Sequence, residues 1–438
     1  MRTFRGGVHP LSEIHEGKRF TENEAVVPIN PGIVVIPVGM HIGAPSAPCV
    51  KKGDIVKIGQ VIADPVGGIG IPVHASVSGT VKAVEERQQL RGAPEMCIEI
   101  ENDMTDEWVE LHPVGTVEEV DPALIIPAVK AAGICGMGGA SFPTHIKMSI
   151  PEGKSADIVI LNGAECEPYL TADYRNMVEN ADRIADGLRL IMRATGVEKG
   201  VVAIEDNKPA AIEAMQKAVR DRQGCEVMVL KTKYPQGGEK QLIHVVTGRE
   251  VPRGKLPIEA NALVFNVSTA KAVADAVLEG KPLIERITTV TGNVVHPGNL
   301  LIRVGTLAKD AIEACGGMKE DSAKVFFGGP MTGFCVPNLD ASLAKNNNGL
   351  IVFNEKQARS MEEGPCIRCG KCINACALHL LPYNMKFDLE KHDLEAAKLH
   401  GLMDCVLCGA CSYSCPAYRQ LTASFKAAKD ELAAKARR

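Results

Sequence analysis

A chain of 438 residues has room for roughly three domains of ordinary size, each burying its own core. Its hydrophobic content of 45% and charged content of 23% are ordinary for a globular protein. A net charge of −4 with only 4% aromatic residues gives no electrostatic or stacking case for nucleic-acid binding.

No window approaches the eighteen or so apolar residues of a membrane span. The start, MRTFRGGVHP, lacks the apolar run of a secretory signal. Fifteen cysteines in such a chain point to metal binding and not to a disulfide framework. The expected setting is cytoplasmic, with any membrane association made through a partner.

Residues 1–25 read as an N-terminal arm. Residues 26–110 are rich in Gly, Pro and Val, with short alternating runs. Two of these, VKKGDIVKIGQVIAD and VHASVSGTVKAVE, each read as strand, glycine turn and strand. Together they resemble the halves of a biotinyl- or lipoyl-type barrel-sandwich. Carriers of that kind hold a lysine at the hairpin tip, and none lies between Asp64 and Ser76, so an unmodified structural or docking module is expected.

From 120 to 285 strands alternate with helices. DPALIIPAVKAAG predicts a helix with Asp121 as N-cap, Pro122 at the first turn and Gly133 as the stop. The loop that follows, GICGMGGASFPTHIKM, has glycines at 133, 136, 138 and 139, so G-x-G-x-x-G is absent. It also follows a helix, where a Rossmann phosphate loop follows a strand. ADIVILNGAE predicts a buried strand, and YRNMVENADRIADGLRLIMRATG one long helix with Val178, Ala181, Ile184, Leu188 and Ile191 on one face. GVVAIED, KPAAIEAMQKAVRD and CEVMVLKTKYPQGGEKQLIHVVTG continue as strand, helix, strand, Gly-Gly loop and helix. Such alternation implies a mainly parallel sheet with functional loops at the strand C-termini.

Residues 286–345 return to short strands around one helix, LAKDAIEACGG, a small α+β module. Segment 355–425 is dominated by cysteine. CIRCGKCINAC places Cys366, Cys369, Cys372 and Cys376 in C-x2-C-x2-C-x3-C, and CVLCGACSYSCP repeats it at Cys405, Cys408, Cys411 and Cys415. This is the two-cluster ferredoxin spacing, in which the fourth cysteine of each run ligates the other cluster. One [4Fe-4S] cluster is expected on Cys366, Cys369, Cys372 and Cys415, the other on Cys376, Cys405, Cys408 and Cys411. Zinc sites pair two C-x2-C hairpins and have no use for a fourth cysteine in each run. Ala377 replaces the proline usual after the first run. Of the other cysteines, Cys135 and Cys166 lie in loops of interest; the default for both is a small buried hydrophobe. The tail, 426–438, is helical by propensity and reads as a solvated helix or a partner or membrane-surface contact.

GMGGASFPTHIKM, NGAECEPYLTADYR, YPQGGEKQL and FNVSTA resemble the loops of the NADH-binding flavoprotein subunit of respiratory complex I. Their order resembles still more closely the C-subunit family of Rnf electron-transport complexes. That likeness takes in FRGGVHP, HIGAPSAPCVKKGD and the paired cysteine runs, nearly end to end. It implies a multidomain α/β and α+β fold: barrel-sandwich hybrid, complex-I-flavoprotein-like domain, β-grasp (soluble-ligand-binding) module at 286–345 and two-cluster ferredoxin domain.

The resemblance also implies an FMN site. In it Gly136, Gly138, Gly139, Gly237 and Gly238 bring backbone against the cofactor, Lys147 neutralises its phosphate, and Asn162 and Asn266 supply amide hydrogen bonds. Phe142 would offer an aromatic face to NAD(H), and Glu167 and Glu239 would bind or orient the nicotinamide at the catalytic position. Ser141 stands where the family usually has Gly, which raises the question whether its backbone is strained. Ala164 stands where complex I has Asp, and Gly238 where it has Glu.

The activity so implied is that of a peripheral subunit on the cytoplasmic face of an ion-translocating ferredoxin:NAD+ oxidoreductase. Its partners would be the other membrane-bound subunits, among them an iron–sulfur B-type subunit. The alternatives are a cobalamin reductase of microcompartments, or an electron-relay or scaffold subunit without a working NADH site. Bleaching of a flavin by NADH separates them.

Overall fold

The computed structural model describes residues 2–10, 16–90 and 92–436. In the N-terminal module the Val/Ile run Ile33–Pro37 pairs antiparallel with Pro94–Asn102. That strand pairs with Gly79–Gln88, and Ile55–Val56 completes a four-stranded sheet. Ala47–Pro48, Val61–Asp64 and Val73–His74 form a three-stranded sheet. Alternate side chains, among them Val34, Ile36, Ile62, Val81, Ile98 and Ile100, fill the space between the two.

Val26–Pro28 leaves this module and pairs parallel with Gly298–Arg303, at the edge of a six-stranded sheet. That sheet also holds Glu285–Gly292, Ser322–Phe327 and Phe334–Cys335, and runs past residue 345 to take in Gly349–Asn354.

The central element is a parallel sheet of β1 (Ile158–Gly163), β2 (Gly200–Glu205), β3 (Cys225–Leu230) and β4 (Ala262–Asn266), in the order β3-β2-β1-β4. Its strands are continuous apolar runs because both faces are covered. Val159, Leu161 and Val202 pack on one side with Ile184, Leu188 and Val273 of the helices Ala181–Thr195 and Val267–Glu279. Ile158, Ile160 and Val201 pack on the other with Leu242 and Ile243 of the helix Glu239–Thr247.

The helix Pro122–Ala131 starts and stops where its punctuation predicts. Asp121 accepts from Ala123 N, and Gly133 takes φ +64 just past the end. The segment expected as one helix after Tyr169 is two, Ala172–Glu179 and Ala181–Thr195. Asn180 divides them at φ −126, ψ 30, its amide donating to Asn176 Oδ1 at 3.0 Å.

The cysteine-rich segment folds as short helices under one long helix, Leu421–Ala436, whose Leu421, Phe425 and Ala428 are buried with Met385, Ala397 and Leu402. Residues 426–436 of the expected helical tail are the later part of that helix, residues 437 and 438 lying outside the described ones, and Lys429 Nζ ties it to Met403 O (3.2 Å) and Cys405 O (2.7 Å).

The described part of the arm pins this segment to the central sheet. Arg2 bridges Leu230 in parallel, Val8 and Tyr234 exchange backbone hydrogen bonds of 2.7 and 2.9 Å, and Gly7 N donates to Ala375 O at 3.0 Å.

Candidate functional site

The strand order reverses between β1 and β4, and ligands of open α/β sheets bind outside the strand C-termini at such a switch point. Asn162 and Asn266 are register partners at those two ends. Asn162 Nδ2 donates to Gly237 O at 2.8 Å, and its Oδ1 accepts from Ala164 N at 3.2 Å. Asn266 caps the helix Val267–Glu279, its Oδ1 accepting from Ser268 N at 2.8 Å while its Nδ2 donates to Asp173 Oδ2 at 2.6 Å. Ser268 Oγ donates to the other Asp173 oxygen at 2.7 Å, so the carboxylate holds both.

The Gly-rich loop lies against this floor. A Cβ on Gly138 would sit 2.9 Å from the Asn266 side chain, and one on Gly237 3.4 Å from Asn162 Oδ1, whereas Gly139 faces open space. Met137 N donates to Thr269 Oγ1 at 3.0 Å, Met137 O accepts from the buried Arg286 at 3.2 Å, and Gly136 N donates to the carbonyl of half-buried Phe142 at 2.9 Å. Ser141 takes φ +56, the left-handed conformation that glycine adopts freely, and its carbonyl accepts from Ile42 of the barrel-sandwich at 3.2 Å. The strain raised by the Gly-to-Ser departure is therefore present.

Lys147 and Glu239 form an ion pair of 2.9 Å, with the ammonium 5.6 Å from the Phe265 ring centroid. Gly238 is the N-cap of the helix that Glu239 opens. An ammonium has three donors, so Lys147 can serve a phosphate beside Glu239. Glu167 lies apart from that pair. Its oxygens accept from Met331 N at 3.1 Å and from the Thr332 hydroxyl, and burial raises its pKa.

Residues the sequence did not single out complete the floor. Asp173 fixes the β4 end through Asn266 and Ser268. Glu165, at φ +42, accepts from Asp173 N (2.7 Å) and Tyr174 N (3.0 Å). Buried Lys18, its pKa lowered by burial to about 8, donates to Glu165 O at 2.9 Å and Leu170 O at 2.5 Å. Asp173 and Glu165 lie inside the quoted NGAECEPYLTADYR, but only the tertiary contacts show what their carboxylates hold. The glycine approaches, the two fixed amides and the lysine fit a flavin mononucleotide.

Cys366, Cys369, Cys372 and Cys415 line one cavity of about 700 Å³; Cys376, Cys405, Cys408 and Cys411 line a second, smaller one. The grouping crosses the two runs, as the spacing predicts. Burial pushes the Cys408 thiol up to about 11 and Cys411 to about 12, with neighbouring cysteines adding to both. Such thiols ionise at neutral pH when a cationic iron takes their charge. Among the described residues no three His, Cys, Asp or Glu groups converge on a point that would hold a single ion. The sulfurs instead ring cavities, which suits a cluster.

The smaller pocket adjoins the switch point. Tyr234, in the loop after β3, donates its hydroxyl to Cys408 O at 2.6 Å. Gly237 N donates to Cys166 Sγ at 3.3 Å, and Cys166, Tyr234, Met331 and Cys408 share one apolar cluster. Cys366 and Cys369, of the larger cavity, are exposed.

Comparison with known proteins matches residues 2–105 to the RnfC barrel sandwich hybrid domain and 129–275 to the Nuo51 FMN-binding domain. Residues 287–334 match the SLBB domain and 365–418 the 4Fe-4S dicluster domain. The chain is 46% identical over 410 residues, 92% of it and 88% of the relative, to the C subunit of the proton-translocating ferredoxin:NAD(+) oxidoreductase complex of Clostridium ljungdahlii. It is 44% identical over 442 residues, 100% of it and 98% of the relative, to the C subunit of the Na(+)-translocating ferredoxin:NAD(+) oxidoreductase complex of Acetobacterium woodii. A solved NAD+-reducing [NiFe]-hydrogenase in the H2-reduced state shares the fold at a TM-score of 0.51 and 22% identity, over 74% of this chain and 68% of that one.

Proposed function

From the premise that the chain belongs to the C-subunit family of ion-translocating ferredoxin:NAD+ oxidoreductase complexes, we propose that it exchanges electrons between NAD(H), FMN and two [4Fe-4S] clusters. We place it as a peripheral subunit on the cytoplasmic face of the membrane complex, with an iron–sulfur B-type subunit among its partners. No described helix is long and apolar enough to cross a membrane.

A flavin supplies the conversion between the two-electron nicotinamide couple and the single electrons that clusters carry. This chain's own residues do the rest. Asn162 and Asn266, fixed from both sides, present oriented amides at the switch point. Gly138, Gly139 and Gly237 admit a planar ring close to backbone, and Lys147 offers a cation to its phosphate. Glu239, at a helix start and paired with Lys147, orients the nicotinamide. Glu167 serves differently: it joins the strand-end loop to segment 329–332, beside the smaller cysteine pocket.

The observation that carries this reading is the hydrogen bond from Tyr234, on the loop of Gly237 and Gly238, to Cys408, on a cysteine loop, which holds the two candidate sites against each other. The test is anaerobic purification, yielding about eight irons and one flavin per chain, followed by NADH. Bleaching of the flavin supports the reading; an unreduced flavin leaves the relay alternative. Glu239→Gln should keep the flavin and weaken NADH-driven reduction by about 1–3 kcal/mol, the usual loss for a hydrogen bond to a charged group.

A further inference from the structure

We propose that Arg286 and Lys345, which come from the module of the six-stranded sheet, are positioning residues of the flavin site: they hold the Gly-rich loop from behind and raise the flavin's reduction potential through charge that no carboxylate pairs. This rests on the FMN reading above.

The stretch 133–137 is gripped at both ends from outside its own domain. Lys345 Nζ donates to Gly133 O at 2.7 Å, and Arg286 Nη1 donates to Met137 O at 3.2 Å. The two cations are tied together, since Arg286 Nη1 also donates to Lys345 O at 2.9 Å. Gly133, at φ +64, lies so close that a Cβ there would be 2.9 Å from Lys345 Nζ. Met137 precedes Gly138, which packs on Asn266, so the grip fixes how the backbone approaches the switch point.

Neutral donors would hold carbonyls as well; what singles these two out is their charge. Lys345 is 1% exposed and Arg286 3%, and neither makes an ion pair with any described residue. Arg286 Nε donates to Ile287 O at 3.1 Å, while its Nη2 is buried without a hydrogen-bond partner among the described residues. The carboxylates in electrostatic reach of Arg286 are Asp173 and Glu165. Both are held by other donors, Asp173 by Asn266 and Ser268, Glu165 by the amides of Asp173 and Tyr174. Around Lys345 stand the Cys135 thiol and the rings of His41 and His74, whose pKa values burial lowers, leaving them neutral at neutral pH. Burial lowers Lys345 to about 8 and Arg286 to about 10, so both stay charged there. Burying unpaired charge destabilises a fold, and a low dielectric lets that charge act farther than it would in water. Hydride transfer from NADH carries two electrons and one proton to the flavin, leaving NAD+ and a ring with one more negative charge. Cations already fixed behind the loop favour that added charge without reorganising.

The test is potentiometric titration of bound FMN in the full chain, purified anaerobically with its clusters and followed at the flavin absorption band. Lys345→Gln and Arg286→Gln replace the charge with a neutral donor. Each should lower the potential by at least about 30 mV, tenfold in a two-electron equilibrium. Arg286→Lys, which keeps the charge, should stay near the wild-type value. Cys135 is fully buried within electrostatic reach of both cations, so Cys135→Asp adds a carboxylate and removes neither; it should keep the fold and lower the potential likewise. Equal potentials in the wild type and the Gln variants overturn the proposal. Where a Gln variant does not fold, Cys135→Asp decides: an unmoved potential overturns the proposal, and so does loss of the fold, since two unpaired cations accommodate a buried acid. A wild-type chain with iron but no flavin removes the FMN reading and the proposal together, whereas bound flavin at an unmoved potential removes the proposal alone.

Discussion

Removing one hydroxyl tests the junction between the flavin loops and the cluster loop. Tyr234 is 2% exposed and packs with Val8, Ala375 and Ala410, so Tyr234→Phe keeps the buried ring and deletes the donor to Cys408 O together with the hydroxyl's contact to Glu167. Orphaning one partner of a buried neutral hydrogen bond costs about 1–3 kcal/mol. Cys408 is only partly buried, so water recovers some of this and the low end applies. A loss of about 1.4 kcal/mol raises the open population of segment 405–411 tenfold. Amide hydrogen exchange, on chains with equal iron and flavin content, should show those amides exchanging about tenfold faster while β1 and β4 keep their protection. In stopped flow the NADH-to-flavin step should hold its rate and the flavin-to-cluster step should slow. Unchanged exchange across 405–411 would refute the claim that this bond anchors the loop.

Three further outcomes follow from the geometry. Crossed ligation predicts that Cys415→Ser and Cys366→Ser remove the same electron paramagnetic resonance signal, and that Cys376→Ser and Cys405→Ser remove the other; pairing within each run would refute it. Gly6 has φ +79, and a Cβ there would lie 2.5 Å from Cys376 O, so Gly6→Ala should cost at least about 1–2 kcal/mol of arm docking, read as faster proteolysis of the arm with β1–β4 intact. His74 is 5% exposed, and burial, helped by the charge of Lys345, lowers its pKa from 6.5 to about 3. The fold thus favours the neutral ring. Its contribution is fully present above pH 6.5 and is lost as pH falls from there toward 3, on the order of 4 kcal/mol in all. Thermal unfolding between pH 7 and 5 should show a shallower acid slope in His74→Gln, and an equal slope would refute it.

Local chemistry decided much of this protein. The start and stop of the helix Pro122–Ala131, the apolar runs of β1–β4 and the sorting of eight cysteines into two crossed sets were all legible. Capping, hydrophobic period and ligand spacing act over a few residues and leave their mark in the string itself. The division at Asn180 was not, because the apolar period continues through it and the break lies in the backbone angles of that one residue. Nor was the departure of Val26–Pro28 to the six-stranded sheet, since a short strand carries no label for its partner. Tertiary structure alone decided that Asp173 locks Asn266, that Glu167 reaches Met331 and Thr332, and that Tyr234 meets Cys408. The last two join residues 164 and 174 positions apart. A hydrogen bond across such a span depends on where whole elements dock, and the residue type at either end is equally at home on a surface.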